Sequence, residues 1–221
     1  MSVLTVAGSK GGAGKTLLCQ LLGASLAGEM RVAVLDADPT QALHRWSIGI
    51  YEGPQFEAVA EPDETRLAHL IAAKVETADL VLVDTAGFGN RAATVAMTSA
   101  DAVVVPTLSS EADVTEAEKT IRLVEGLARA ARREIPARVL LNRVKRTTLA
   151  RHAVKEIEGA GLPRLEASLS DLVAYGEMTF SGRLPDVGTP ATEIAALVAE
   201  LRRENWVPNH VEISSRKAVT T

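Results

Sequence analysis

Nine residues near the amino terminus, Gly8-Ser9-Lys10-Gly11-Gly12-Ala13-Gly14-Lys15-Thr16, constrain this chain more than any other stretch. They stand between an apolar run, Ser2–Ala7, and a segment from about Lys15 to Ala27 in which Leu17, Leu18, Leu21, Leu22 and Leu26 recur with helical spacing. Glycines let the backbone approach an anion closely. A helix starting there turns its unpaired N–H groups and positive dipole end toward the same point. Strand, glycine-rich loop and helix in this order form a cradle for a triphosphate. Lys15 is placed to reach the β- and γ-phosphates, and the Thr16 hydroxyl to ligate Mg²⁺. Gly11, Gly12, Ala13, Gly14, Lys15, Thr16 and Leu17 are therefore expected to bind nucleotide.

The rest of the chain repeats the same alternation. Val32–Leu35, Gln55–Val59, Leu80–Val83, Ala102–Val105 and Arg138–Leu141 read as further strands. Helical spacing runs through Leu67, Leu70 and Ile71, from Glu111 to Arg132, near Leu149–Glu158 and near Thr192–Glu204. Trp46 is expected to pack a helix against the sheet. Aromatics make up only 3% of the 221 residues, so Val, Leu, Ile and Ala must fill the core, as suits buried parallel strands. The expected fold is one α/β domain, a mostly parallel twisted sheet with helices on both faces, over residues 1–205. Residues 206–221 are expected to be a disordered tail.

Other classes are set aside by what the chain lacks. A single cysteine, Cys19, permits no internal disulfide and no cysteine-held cluster within one chain, and is expected in the core. The four histidines have no metal-ligand spacing. No run reaches the roughly 18 apolar residues of a membrane span, and the amino terminus has no signal-peptide pattern. The expected location is the cytoplasm.

The loop departs from the common G-x-x-x-x-G-K-[ST] pattern. Ser9 replaces the first glycine, and a second lysine, Lys10, follows it. This K-G-G-x-G-K-T form resembles the deviant Walker A motif of the ParA/MinD family of P-loop NTPases. The resemblance implies that Lys10 crosses a dimer interface to the partner's nucleotide, making ATP the glue of a sandwich homodimer. Val34-Leu35-Asp36-Ala37-Asp38-Pro39 looks like the family's D-x-D-P element, with Asp38 catalytic beside Lys10 and Lys15, and Asp36 near the Mg²⁺ shell. Leu80-Val81-Leu82-Val83-Asp84-Thr85-Ala86-Gly87 resembles a Walker B strand and switch. Thr16, Asp36 and Asp84 are then the metal set. Leu140-Leu141-Asn142-Arg143 resembles the adenine-side element, with Asn142 on the base edge and Arg143 beside it. Asp113 stands where the family often has a carboxylate near the interface, and it also suits a helix amino terminus.

The resemblance spans about Ser2 to Arg203 and points to a short ParA, without an amino-terminal helix-turn-helix extension or a membrane-anchoring end. It implies a Mg²⁺-dependent ATPase of weak intrinsic activity. The ATP dimer is expected to bind double-stranded DNA without sequence preference and to sit on the nucleoid. A ParB-like or other cargo adaptor with a basic amino-terminal segment would trigger hydrolysis. A transfer-accessory ATPase of a conjugation system uses the same engine. A metabolic P-loop ligase or kinase and a non-hydrolysing nucleotide-gated module are the readings from other classes. The formal net charge is −4, yet the stretch from Arg129 to Lys155 holds Arg129, Arg132, Arg133, Arg138, Arg143, Lys145, Arg146, Arg151 and Lys155 against one acid, Glu134. This concentration suggests a local positive field. Arg143, Lys145, Arg146, Arg151 and Lys155 are the expected DNA contacts.

Overall fold

The computed structural model describes residues 2–87, 89–145 and 148–209. Strands and helices alternate through most of the chain: β1 (Ser2–Val6), α1 (Lys15–Leu26), β2 (Val32–Asp36), α2 (Ala42–Gly49), β3 (Glu57–Ala60), α3 (Glu64–Thr77), β4 (Leu80–Asp84) and α4 (Arg91–Ser99). Then come β5 (Ala102–Thr107), α5 (Glu111–Ala131), β6 (Ala137–Val144), α6 (Thr148–Gly159), β7 (Arg164–Ser170), α7 (Val173–Ser181) and α8 (Gly188–Arg203). The strands form one seven-stranded parallel sheet in the order β3-β2-β4-β1-β5-β6-β7.

Period-two alternation decides which helix covers which face. Leu4, Val6, Val34, Leu80, Leu82 and Val104 share a core with residues of α1, α2, α7 and α8. Their neighbours Val3, Leu35, Val81 and Val83 pack with α3 and α4. Val103, Val105, Val139 and Leu141 pack with α4, α5 and α6. Both faces of the central strands are buried, which is why those strands read as unbroken apolar runs. From β1 the chain passes through α1 to β2. From the adjacent β4 it passes through α4, on the opposite face, to β5. The two connections part at the carboxyl ends of β1 and β4, where ligands of open α/β sheets bind.

Three elements were not anticipated, α4, β7 and α7, and α2 was foreseen only through Trp46. The Arg91–Ser99 helix is built of small residues, and the edge strand β7 lacks an apolar run. Between β6 and β7 the register moves from Val139↔Arg164 to Leu141↔Ser168, so two steps on one strand face four on the other. This bulge releases the N–H groups of Glu166 and Ala167. The buried Glu200 carboxylate on α8 accepts both, at 2.8 Å each. Glu200→Ala would leave two inward N–H groups without an acceptor, and is expected to cost about 3 kcal/mol in urea unfolding. Glu200→Gln, which keeps one acceptor, should cost less.

The expected domain limit at 205 falls too early. Trp206 and Val207 are buried in the α1/α8 core. The Ser2 hydroxyl donates to the Trp206 carbonyl at 2.7 Å, and the Arg138 guanidinium stacks over the Trp206 ring at 5.6 Å. An indole has enough apolar area to dock without helical periodicity. The tail expected beyond this point lies, from residue 210, outside the described residues.

Candidate nucleotide-binding site

The loop between β1 and α1 turns on two glycines in the left-handed region, Gly12 (φ 84°) and Gly14 (φ 92°), the second being the N-cap of α1. A Cβ on Gly14 would collide with the Asn142 amide. That amide donates to the Ala13 carbonyl at 2.8 Å, and its Oδ1 accepts the Arg143 N–H at 2.9 Å. Asn142 is only 1% exposed. The structure thus corrects the expectation that Asn142 pairs with a base edge: its side chain is spent bracing the loop from beneath. Arg143, held at φ 51°, is exposed and lines the cleft.

The cleft has a volume of about 560 Å³ and is lined by Gly11, Gly12, Gly14, Lys15, Thr16 and Leu17 from the loop, together with Asp38. Gln20, Arg45, Ile50 and Thr179 form its other wall, and they come from α1, the α2 region and α7. Thr179 falls in the segment from Ser168 to Pro185, whose resemblance to the family's nucleotide-flanking carboxyl-terminal part pointed here, whereas nothing local marked Gln20, Arg45 or Ile50; α7 reaches α2 through the tertiary fold, where Trp46 Nε1 donates to the Met178 carbonyl at 3.3 Å.

The floor carries the charges. Asp36 and Asp84 are register partners at the carboxyl ends of β2 and β4, both fully buried. Asp36 Oδ1 accepts the Asp38 N–H at 3.1 Å and Oδ2 the His44 N–H at 3.0 Å. Burial raises its pKa, and these amides pull it part of the way back. Asp36 therefore shapes the loop that presents Asp38, and has less freedom to face a metal than expected. Asp38 caps its own turn, its carboxylate accepting the Thr40 N–H at 2.8 Å.

Asp84 differs. Neither of its oxygens has a hydrogen bond of good geometry among the described residues. Burial pushes its carboxyl up to about 7, with the Thr16 hydroxyl and Lys15 opposing and Asp36 and Asp38 adding to the rise. Lys15 is buried too; burial lowers its pKa, while Asp84 and Asp38 oppose, and its Nζ donates to the Lys10 carbonyl at 3.1 Å. An orphaned carboxylate beside a threonine hydroxyl is a donor set for a hard, oxygen-loving dication. Mg²⁺ is such a dication: it is ordinarily bound by one or two carboxylates and completes its shell with phosphates and water.

Lys10 stands apart from this floor. Its ammonium lies 2.6 Å from Asp113 Oδ1, with half of the lysine side chain in solvent and Asp113 nearly covered. Burial would raise the Asp113 pKa, but hydrogen bonds from Lys10 and Ser110 outweigh it and hold the group below its usual range. Ser9 ties the same loop to α5 through Glu116 Oε2 at 2.7 Å.

The expected DNA contacts divide. Arg143 and Lys145 lie at the carboxyl end of β6, and Arg151 and Lys155 on the first turns of the following α6. Arg146 lies outside the described residues. Arg129, Arg132 and Arg133 sit at the amino end of β6, roughly 20–25 Å away along an eight-residue strand. One continuous edge for the whole stretch is thereby corrected to two. Arg133 is engaged with the Ala100 carbonyl and Asp101, and Arg138 with Glu204. Lys145 is 3.4 Å from Asp171. Arg151 and Lys155 are exposed and have no acidic partner among the described residues.

A parallel sheet with a glycine cradle at its carboxyl edge, two lysines in the cradle and buried aspartates on the adjacent strand ends defines a P-loop NTPase of the ParA/MinD type. The chain belongs to the VirC1 family: the model described as VirC1 protein matches residues 1–198. It is 31% identical to Protein virC1 of Rhizobium rhizogenes over 192 residues, 83% of each chain. It is 27% identical to Protein ParA of Rhizobium radiobacter over 204 residues, 90% of this chain and 91% of that one. Maintenance of carboxysome distribution protein A of Halothiobacillus neapolitanus is 30% identical over 182 residues, 81% and 84% of the two chains. Among solved structures, an ATP complex of a Cyanothece McdA variant superposes with a TM-score of 0.77 at 18% identity, covering 96% of this chain and 99% of that one. Among the described residues no helix is long and apolar enough to cross a membrane.

Proposed function

We infer that this chain is a Mg²⁺-dependent ATPase that closes into an ATP-sandwich dimer, binds duplex DNA without sequence preference, and positions or segregates DNA or another cargo as a partner stimulates hydrolysis. One observation carries the reading: the loop holds two lysines in opposite situations. Lys15 is buried over the aspartate floor, and Lys10 is half in solvent at the rim. A lysine committed to its own nucleotide belongs on the floor, whereas one that serves a partner's nucleotide must stand outside.

In this reading the Gly11–Thr16 backbone and Lys15 bind the β- and γ-phosphates, Leu17 and Arg143 flank the nucleotide, and Asn142 keeps the loop in shape. Thr16 and Asp84 would hold Mg²⁺, with Asp36 fixing the loop that presents Asp38. Bound there, Mg²⁺ neutralises charge developing on the phosphate oxygens. Asp38 orients the attacking water. Lys10 leaves Asp113 and supplies a second cation to the facing nucleotide. Gly87 lies 3.3 Å, by the position a Cβ would take, from the Ser9 carbonyl, so the strand-end loop is packed on the cradle and can follow loss of the γ-phosphate. Relatives named Protein ParA and Maintenance of carboxysome distribution protein A support a positioning role and leave the cargo open. The cations at the carboxyl end of β6 support the DNA reading; Arg143, Arg151 and Lys155 on one edge would be doubled by dimerisation.

The test is sedimentation with ATP, ADP or neither, with DNA binding followed in the same samples. Wild type is expected to dimerise with ATP only, and only the dimer to shift duplex DNA, more weakly as salt rises. Lys10→Ala should bind ATP and stay monomeric, while Asp38→Ala should accumulate as an ATP-bound dimer. If Lys10→Ala dimerises as wild type does, the trans-acting lysine is excluded.

A further inference from the structure

One carboxylate away from the phosphate cradle collects three donors. Glu193, in the second turn of α8, accepts the Ser170 hydroxyl at 2.6 Å on Oε1. Its Oε2 accepts the Ser170 N–H at 2.9 Å and the Tyr175 hydroxyl at 2.8 Å. The Tyr175 hydroxyl also lies 3.4 Å from the Pro190 carbonyl of the same helix. Tyr175 is buried, and burial, then the Glu193 charge, raises its pKa, so the phenol stays protonated and keeps donating. Bonds to a charged acceptor are stronger than those between neutral groups.

The donors belong to the two elements that continue the cleft wall. Ser170 ends β7, and the next N–H, that of Asp171, donates to the Val144 carbonyl at 3.0 Å. Val144 follows Arg143, which lines the cleft. Tyr175 lies in the first turn of α7, and Thr179, one turn further along the same helix, lines the cleft as well. The far end of α7 is pinned to the α2 region by the Trp46–Met178 bond and by the Glu52 N–H, which donates to the Gly182 carbonyl at 2.9 Å. Its near end is held to α8 through Tyr175 and Glu193.

The strand order says which part of a nucleotide meets this corner. The aspartates of β2 and β4 take the terminal phosphate and Mg²⁺ on one side of β1, and β6 lies on the other side, past β5. A nucleotide whose phosphates fill the Gly11–Thr16 cradle with the last one toward Asp84 runs its sugar and base toward Arg143 and the β7–α7 corner. We propose that Glu193 is a positioning residue for the nucleoside: through Ser170 and Tyr175 it fixes the corner of β7 and α7 against which sugar and base rest. This rests on the nucleotide-binding reading above and extends it from the phosphates to the nucleoside. The cradle has its own braces, Asn142 on the Ala13 carbonyl and Ser9 on Glu116, and neither passes through Glu193. Binding of phosphates and binding of nucleoside should therefore come apart when the clamp is cut.

The experiment uses the full chain, the variants Glu193→Gln and Tyr175→Phe, and two ligands offered with Mg²⁺: ATP and inorganic tripolyphosphate, which has no nucleoside. Tyr175→Phe removes one hydroxyl from a packed ring and keeps the fold, should Glu193→Gln disturb it. In calorimetric titration each variant is expected to bind ATP at least fivefold more weakly than wild type, and tripolyphosphate within twofold of it. The double variant should bind ATP no more weakly than Glu193→Gln alone, because the tyrosine acts through the carboxylate, and a further drop would overturn the shared clamp. ATP bound at wild-type strength by both variants overturns the proposal. Equal weakening of ATP and tripolyphosphate overturns it too, since the damage is then general. A wild type that binds neither ligand removes the nucleotide reading itself, and that sample alone separates the two failures.

Discussion

Replacing Asp84 by asparagine is expected to make the nucleotide-free protein more stable at pH 8, by roughly 2–4 kcal/mol, while abolishing hydrolysis. The carboxyl sits between β4 and the loop with no hydrogen bond of good geometry, and burial lifts it from an ordinary 3.8 to about 7. A carboxyl whose pKa is raised on folding binds more protons folded than unfolded between those two values. Stability therefore falls as pH climbs from about 4 to about 7 and levels off above, the reverse of a salt-bridged aspartate. A shift of about three units corresponds to about 4 kcal/mol at full ionisation. Asparagine removes the charge but adds an amide that must be desolvated, hence the lower end of the range. The variant's advantage should shrink toward zero near pH 4. Mg²⁺ and ATP should reverse the ranking by stabilising wild type far more than the variant. Urea unfolding at pH 5 and pH 8, with and without Mg²⁺ and ATP, reads all of this. A variant less stable than wild type at pH 8 would mean that the carboxylate has a partner in the folded protein.

Lys15→Ala is expected to lower ATP affinity by at least 100-fold, about 2.7 kcal/mol. Among the described residues the ammonium is the one side-chain cation buried against the aspartate floor; Arg45 and Arg143 line the cleft and Lys10 is held by Asp113, so none of them takes over its charge-assisted bonds to phosphate. Its effect on the empty protein should be small. Lys15 is itself desolvated and contributes one bond, to the Lys10 carbonyl. Melting temperatures without ligand should therefore agree within a few degrees, and the shift caused by Mg²⁺ and ATP should vanish. Calorimetric titration giving the wild-type Kd would remove the phosphate-cradle assignment altogether.

What the amino-acid order determined alone is local. Gly12 and Gly14 adopt the left-handed turns that a close approach to phosphate demands, and Lys15 opens its helix because the glycines before it fix the entry. Five of the strands were legible because burial leaves unbroken Val, Leu and Ala runs at their centres, and the edge strand β3 gave only the weaker Gln55–Val59 signal. Asp36 and Asp84 announced themselves as the last residues of two of those runs, and the parallel register then sets them side by side.

The tertiary structure decided whatever depends on partners distant in sequence. Asn142 looked like a base contact at a strand end, but β6 lies beneath the loop, and the room left by Gly14 draws the amide inward, 129 residues away along the chain. Glu200 reads as one more helix charge until the β7 bulge supplies two amides for it. The basic stretch looked continuous because nine cations follow one another in sequence, yet a strand carries the chain across the whole sheet between them. α7 was invisible for a related reason. A helix with apolar residues on both sides has no periodicity to detect, and only its position beside the cleft distinguishes the side that meets the core from the side left in solvent.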